Sequence, residues 1–195
     1  MTVFSYVVEH DLGFAPNPFH GFCTLACCKP IFRKTAEVGD YVLGTGAVKP
    51  KLRGCITYWM RVGEILTFDE YWNDPRFRRK KPVMSGTTYL RYGDNIYHRD
   101  DSGVLRQEDS FHSREDGSVS PGDFERDTGR TEKVLIGREF AYWGRTGMVL
   151  PPDLECFVRR QKWHFTDVQI ERFMAWLAER PERGYRGEPA HWQFL

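Results

Sequence analysis

The segment "TLACCKPIFR" brings together the residues most able to do chemistry. Cys28 is followed directly by Lys29, and Arg33 stands one helical turn after it. Positive charge and a helix N-terminus both favour a thiolate, so Cys28 is a candidate nucleophile. Pro30 can occupy the first turn of a short helix over residues 30–36. Lys29 and Arg33 would then lie where backbone N–H groups attract a phosphate or carboxylate; a solvated basic face is the alternative.

The other cysteines do not predict a metal site. The chain has 5 cysteines in 195 residues, an odd number without the density of a secreted scaffold, so we expect mainly reduced thiols. Cys23 and Cys27 have a spacing that occurs in metal sites, but no second Cys/His pair follows at such a spacing. Both are more simply small buried apolar residues. We predict no metal and leave the cofactor unknown.

Groups that could transfer protons are scattered along the chain. Asp94 lies in the motif "GDNIYH", where either it or His98 could act as an acid or base. An ordinary Gly-Asp-Asn turn is the alternative. His112 lies in a polar stretch further on. No spacing among these residues identifies a catalytic pair.

The segment "DPRFRRKKP" carries five cations between Arg76 and Lys81. Aromatic residues precede it in "EYW" and follow it in "TTYLRYGDNIYH". Basic charge interleaved with rings suits single-stranded or flipped nucleotides. The alternative is a solvated surface.

The overall composition excludes several classes of protein. A hydrophobic content of 41% with 28% charged residues is close to the globular average and excludes a disordered chain. The net charge of +1 is low for a protein that coats duplex DNA, so nucleic-acid binding would depend on local patches. No signal-peptide pattern and no apolar run long enough to span a membrane are found, so we expect a cytoplasmic protein.

Short strand patterns alternate with few helices. Strands are predicted in "TVFSYVVEH", "DYVLGTG", "RGCITYWMRVGEIL" and "VLIGREFAYWG". Thr67 and Glu70 form a capping box for a helix that should end before Pro75, and Thr166 with Gln169 forms another. This pattern predicts an α+β fold: a small, partly closed β-barrel with flanking helices.

Residues 99–133 are mostly polar and turn-forming, which predicts a long insertion with a small hairpin near Val104 and Leu105. Long insertions in compact domains are usually functional or mobile. We assign residues 1–151 to one domain that contains this insertion. Residues 152–195 would form a C-terminal helix and tail packed on the same domain.

Seven motifs occur in order: "GFAPNPFHG", "TLACCKPIFR", "GDYVLGTG", "EYWNDPRF", "KKP", "GDNIYH" and "VLIGREFAYWG". Together they resemble the second of the numbered families called nucleotide modification associated domains, over roughly residues 6–151. That family is bacterial and phage-associated and is linked to systems that hypermodify DNA bases. The resemblance implies a nucleotide or DNA as ligand, single-stranded or with a flipped base, and a protein partner from a modification system.

The resemblance also implies roles for individual residues. Cys28, Asp94 and Asp11 would be catalytic, and Cys28 matches the motif thiol because it stands directly before Lys-Pro. The implied nucleotide-binding residues are Asn17, Thr24, Lys29, Arg33, Arg76, Lys81 and Asn95. In this hypothesis the thiolate adds to an electron-poor pyrimidine carbon, and Asp94 moves protons.

A weaker similarity links residues 24–77 to the PUA-like barrels, such as the ASCH and EVE domains. It favours an alternative function, a reader without catalytic activity that stacks a modified base on Trp59, Tyr71 or Trp72. A third possibility is a protein-interaction module with residues 99–133 and the aromatic tail as its contact surfaces. The sequence leaves open whether the protein is an enzyme.

Overall fold

The computed structural model describes residues 1–47, 52–158 and 161–192 and shows a mixed α/β chain. The helices are α1 Pro30–Thr35, α2 Phe68–Asn73, α3 Thr88–Arg91, α4 Pro121–Thr128 and α5 Asp167–Ala178. The strands are β1 Val3–Val8, β2 Cys23–Leu25, β3 Tyr41–Gly46, β4 Cys55–Arg61, β5 Glu64–Thr67, β6 Tyr97–Arg99, β7 Leu105–Gln107, β8 Lys133–Gly137, β9 Phe140–Tyr142, β10 Met148–Val149, β11 Gln161–Lys162 and β12 Gly184–Tyr185. Short 3-10 helices cover Pro75–Lys80, Gly144–Thr146 and Pro152–Phe157.

The chain forms two compact units. The first unit comprises residues 1–12, 37–63 and 137–195, and the second comprises residues 13–36 and 64–136. The division into residues 1–151 and 152–195 stays a prediction.

The first unit is built on the larger sheet. Its strand order is β11-β1-β3-β4-β9-β12, with β10 paired to β4. β1 runs parallel to β3, and β3 runs antiparallel to β4. The apolar face of α5 contributes Phe173, Trp176 and Leu177 to the same buried cluster as Leu43 and Trp59. Burial of this amphipathic face is the main source of stability for a helix of this length.

The second unit contains a three-stranded sheet of order β2-β8-β5 and the hairpin of β6 with β7. Helix α2 lies against β6, and α1 lies against α4. Thr67 accepts a hydrogen bond from the backbone N–H of Glu70, whose carboxylate accepts from the Thr67 N–H, which confirms the predicted capping box. The helix ends before Pro75, as predicted.

The expected barrel is not confirmed. Within the described ranges, each sheet is open, and the larger sheet ends at β11 on one side and at β12 on the other. The flanking helices and the mixture of helices and strands are as predicted. No helix in the described part of the chain is long and apolar enough to cross a lipid bilayer.

Candidate active site

Cys28 lies in the turn between β2 and α1, in an unusual backbone conformation. Cys28 and Lys29 have φ values of 58° and 43°, so two consecutive residues with side chains occupy the left-handed region. This conformation costs roughly 1–3 kcal/mol for each such residue, and it persists only where surrounding contacts enforce it. One such contact is the hydrogen bond of 2.8 Å from the Cys28 backbone N–H to Oδ1 of Asp127. The half-buried Cys28 side chain is thus held in place from a distant part of the chain.

His112 is the acid–base group next to this thiol. Its Nε2 lies 3.9 Å from Sγ of Cys28, and its Nδ1 lies 2.7 Å from Oδ2 of Asp127. The Phe14 ring packs against the imidazole, with 4.4 Å between ring centroids. Burial alone would lower the pKa of His112, but hydrogen bonds and charge interactions with Asp127 and Cys28 raise it to about 9. The imidazole is therefore an imidazolium at neutral pH.

The Asp127 carboxylate organises the whole cluster. It is completely buried. Oδ1 accepts hydrogen bonds from the Cys28 N–H and from Nε of Arg126, while Oδ2 faces His112 and accepts from the Tyr97 hydroxyl at 3.0 Å. Burial alone would raise the pKa of Asp127, but the His112 and Arg126 cations and the Cys28 N–H lower it. A buried carboxylate with these partners stays ionised and positions both the Cys28 backbone and the His112 imidazole.

Arg126 adds a second cation at the edge of the cluster. Its Nη2 lies 3.2 Å from both ring nitrogens of His112, and its Nη1 forms an ion pair of 2.6 Å with Asp123. The Arg126 side chain is partly exposed, and its guanidinium also pairs with Asp127.

Arg33 is buried and acts within the protein. Its guanidinium donates to the backbone carbonyls of Ala26, Asp127 and Thr131. Burial lowers its pKa, although nearby acidic groups oppose this effect. The side chain ties the residues before Cys28 to the end of α4. This geometry supports positioning of the thiol rather than the phosphate contact expected from the sequence.

Asp94 forms a separate buried polar network. Its carboxylate accepts hydrogen bonds of 2.6 Å from Thr24 and 2.8 Å from the Tyr71 hydroxyl. The Lys80 ammonium donates to Thr24 and to both the backbone and the side-chain oxygens of Asn17. Burial raises the pKa of Asp94 and lowers that of Lys80 to about 8, and each charge opposes the shift of the other. These groups satisfy one another, as buried polar groups must.

Asn17 and Asn95 also have internal partners. The Asn17 amide donates to the carbonyl of Tyr92 at 2.8 Å, and the Asn95 amide donates to the carbonyl of Tyr71 at 2.9 Å. Both asparagines are buried. Their side chains therefore stabilise loops of the second unit through hydrogen bonds to the backbone. A nucleotide-binding role for the two asparagines or for Thr24 stays a prediction.

Asp11 belongs to the first unit, whereas Cys28 belongs to the second. Its carboxylate accepts hydrogen bonds from the Tyr142 hydroxyl and from the backbone N–H of Ala190. Its backbone N–H donates to Nδ1 of His191 at 3.0 Å. Asp11 thus joins the tail to the first unit, and its predicted catalytic role is supported by none of these contacts.

The two predicted phosphate ligands in the basic segment already have partners. Arg76 donates two hydrogen bonds of 2.9 Å to Glu64 and others to Asp74. The Lys81 ammonium lies 3.4 Å from the centroid of the Trp72 ring. The carboxylates offset the charge of Arg76, which weakens the case for a phosphate contact at that residue. Lys29 is partly exposed and follows Cys28 in the chain.

The rings proposed for an aromatic cage do not present open faces. Trp59 and Tyr71 are both buried in the core, with 1% of each residue exposed. Trp72 stacks on His98 with 4.0 Å between ring centroids and 11° between planes. Since the Lys81 ammonium lies 3.4 Å from the Trp72 centroid, it must occupy the opposite face. A base has no free face of these rings on which to stack.

Cys27, His112 and Asp127 contribute donor atoms that all lie within 4.8 Å of one another, a separation that a metal ion could bridge. Thiolate, imidazole and carboxylate are ligands that zinc accepts. However, burial raises the pKa of Cys27, and Sγ faces the carbonyl of Asp94 at 3.7 Å. Both ring nitrogens of His112 also have partners already, Cys28 at Nε2 and Asp127 at Nδ1. These contacts favour an acid–base role for His112.

The sequence marks Cys28 and His112 as separate candidates but does not link them to each other or to Asp127. His112 and Asp127 are 84 and 99 residues from Cys28 in the chain. Both lie in the polar insertion, so the only signal was the expectation that a long insertion has a function. Asp127 follows two other acidic residues in "GDFERDTGR", and the local sequence does not distinguish it from them.

A family model described as nucleotide modification associated domain 2 matches residues 1–195, the whole chain. Comparison with curated proteins and with solved structures gave no match. The matched range includes the C-terminal helix and tail, which lie beyond residue 151, where the motif resemblance ended.

Proposed function

The chain belongs to the nucleotide modification associated domain 2 family, and from that premise we propose that it is an enzyme that modifies a base in a nucleotide or in DNA through the Cys28 thiolate. One observation carries this proposal. Sγ of Cys28 faces Nε2 of His112, whose Nδ1 faces the buried carboxylate of Asp127. Nucleophile, base and orienting carboxylate in this order are the arrangement that activates a thiol.

Two cations lie near the sulfur. The His112 imidazolium and the Arg126 guanidinium both interact electrostatically with Cys28. The distance of 3.9 Å is longer than a tight hydrogen bond, but catalytic contacts commonly shorten when the substrate binds.

A pyrimidine base offers such a thiolate a suitable carbon. When the thiolate bonds to C6, the electron pair of the C5–C6 double bond moves to C5 and the conjugated group at C4. The His112 imidazolium then donates its proton to C5. Neutral His112 takes one of the two C5 protons back, and the thiolate leaves as the double bond re-forms. Because this cycle consumes nothing, it exchanges the C5 hydrogen with solvent without any co-reactant.

Hydrogen exchange at C5 tests this proposal directly. The wild-type protein is incubated in deuterated water with dUMP, dCMP or a pyrimidine-rich single strand, and deuterium uptake is followed by mass spectrometry. We expect the wild type to introduce deuterium at C5. Cys28→Ser should abolish uptake, because a serine hydroxyl is hardly ionised in this setting.

Cys27→Ala is the matched control, since it removes the neighbouring buried thiol without touching the nucleophile. It should retain exchange. Equal uptake with wild type and Cys28→Ser would remove the thiol from the mechanism. No uptake with any pyrimidine probe by the folded wild type would overturn the chemistry. Tight binding of the same probes without exchange would then indicate a reader.

A further inference from the structure

Phe111 is an exposed ring at the edge of the candidate active site. Its side chain is 45% exposed, which is unusual for an aromatic residue that touches other rings. Its centroid lies 5.6 Å from that of Phe14, 5.4 Å from that of Tyr92 and 6.0 Å from that of His112. These three neighbours are buried. Phe111 is thus supported by the protein on one side and open to solvent on the other.

The ring is held in a fixed position beside the catalytic cluster. It precedes His112 in the chain, and the Nε2 of that histidine faces the Cys28 sulfur. The turn that carries it is closed by a hydrogen bond of 2.9 Å from the Ser113 N–H to the Ser110 carbonyl, and the Ser110 N–H donates back to the Ser113 hydroxyl at 3.0 Å. Because these hydrogen bonds already order the backbone of the turn, little of its conformational entropy is lost on binding. Such preorganisation strengthens binding.

We propose that Phe111 is the platform on which the substrate base stacks, so that a ring carbon of the base faces Cys28. This inference rests on the proposed function and specifies its ligand as a free nucleotide or an unpaired nucleotide of a single strand. Every base has a π face, and stacking on an aromatic side chain is how unpaired bases are commonly held. A base inside a duplex has both faces covered and cannot use this platform.

One cation lies near the ring. Arg126 contacts the imidazole of the adjacent His112 and its side chain is partly exposed, but Asp123 and Asp127 offset its charge. Phe111 and Arg126 both belong to the insertion at residues 99–133. The insertion therefore supplies the base-stacking surface.

Binding measured without catalysis tests this inference separately from the chemistry. In the Cys28→Ser background, a fluorescently labelled pyrimidine-rich single strand is titrated with Phe111→Ala, Phe111→Leu and Phe111→Trp variants, and anisotropy gives each Kd. We expect Phe111→Ala and Phe111→Leu to bind roughly ten- to a hundred-fold more weakly, because neither offers a π face. Phe111→Trp should keep the affinity, and dUMP should quench the added indole fluorescence.

Val104→Ala is the control, because Val104 is a similarly exposed apolar residue of the same insertion, at 49%. It should bind like the parent, and far-UV circular dichroism checks that each variant is folded. Equal affinity of all four variants would overturn the stacking role of Phe111. If the wild type shows no C5 exchange but Phe111→Leu still weakens binding, the stacking role of Phe111 stands and only the proposed reaction is excluded.

Discussion

A single carboxylate sets the geometry of the candidate site at the scale of the residue. The Asp127 oxygens accept hydrogen bonds from the Cys28 N–H and the Tyr97 hydroxyl, and Oδ2 also contacts Nδ1 of His112. The left-handed backbone at Cys28 is unfavourable by itself, so the first of these hydrogen bonds helps to offset its cost. The positions of Cys28 and His112 therefore both depend on Asp127.

Asp127→Asn is the substitution that best tests this dependence. The amide keeps the size of the carboxylate, but its NH₂ group would face the His112 or Tyr97 donors, and the negative charge that stabilises the imidazolium is lost. We expect C5 exchange to fall by a factor of at least about a hundred, as when the orienting carboxylate of a catalytic triad is replaced. Mismatched buried hydrogen bonds should also lower the free energy of unfolding by about 1–3 kcal/mol.

Asp123→Asn is the companion variant. Asp123 is paired with Arg126 and is partly exposed, and none of its hydrogen bonds among the described residues reaches His112 or Cys28. It should reduce exchange only slightly. Full activity of Asp127→Asn would contradict the assigned role, whatever its effect on stability.

At the scale of the element, the 3-10 helix Pro75–Lys80 separates the cations of the basic segment into different environments. Lys80 is buried in the network with Asp94, and Arg76 is bonded to Glu64 and Asp74. Arg78 and Arg79 are exposed, and neither forms an ion pair with any residue that the structure describes. Contact with nucleic-acid phosphates is therefore better supported for these two arginines than for Arg76.

A salt series distinguishes these cations. We expect the double variant Arg78→Ala/Arg79→Ala to bind a labelled single strand more weakly and to lose about 1.4 units of the slope of log K against log salt, about 0.7 for each lost contact. Arg76→Ala should leave the slope almost unchanged, because its charge is offset by carboxylates. Fluorescence anisotropy at several salt concentrations measures both. Identical slopes for the wild type and the double variant would exclude phosphate contacts from this element.

Elements with strong local signals were predictable from the sequence. The capping boxes at Thr67 and Thr166 begin α2 and α5 as expected, because both depend on residues three positions apart. Helix α4 was not predicted, since it has eight residues, mostly polar, within an insertion rich in turn-forming residues. The barrel was predicted from the short strands and the weaker PUA-like similarity. The parallel pairing of β1 with β3 is a long-range feature that no local pattern contains.

At the scale of the whole molecule, several family motifs form buried structure around the thiol. Thr24, Asn17 and Asp94, each in a different motif, join the network of Lys80. A motif resemblance does not distinguish such internal contacts from ligand contacts, because both require particular polar residues. This explains why the resemblance gave a ligand-binding role to a residue such as Arg33, which is buried.

The protonation of His112 also links the site to the stability of the whole molecule. In the folded protein Asp127 and Cys28 raise its pKa to about 9, although Arg126 also lies beside it, while the unfolded chain has the ordinary value of about 6.5. Between these values the folded protein keeps a proton that the unfolded chain releases. The stabilisation from His112 is therefore complete below about pH 6.5 and is lost as the pH rises through about 9.

Urea unfolding of the wild type and His112→Gln between pH 6 and 9 measures this linkage. We expect the difference in unfolding free energy between the two proteins to shrink as the pH rises, by at most about 1.4 kcal/mol per pH unit. Lys80, whose pKa is lowered to about 8, adds stability with rising pH above that value, but it is present in both proteins and cancels in the difference. A difference that stays constant from pH 6 to 9 would mean that His112 is not held as an imidazolium, and the thiolate–imidazolium arrangement would then lose its electrostatic basis.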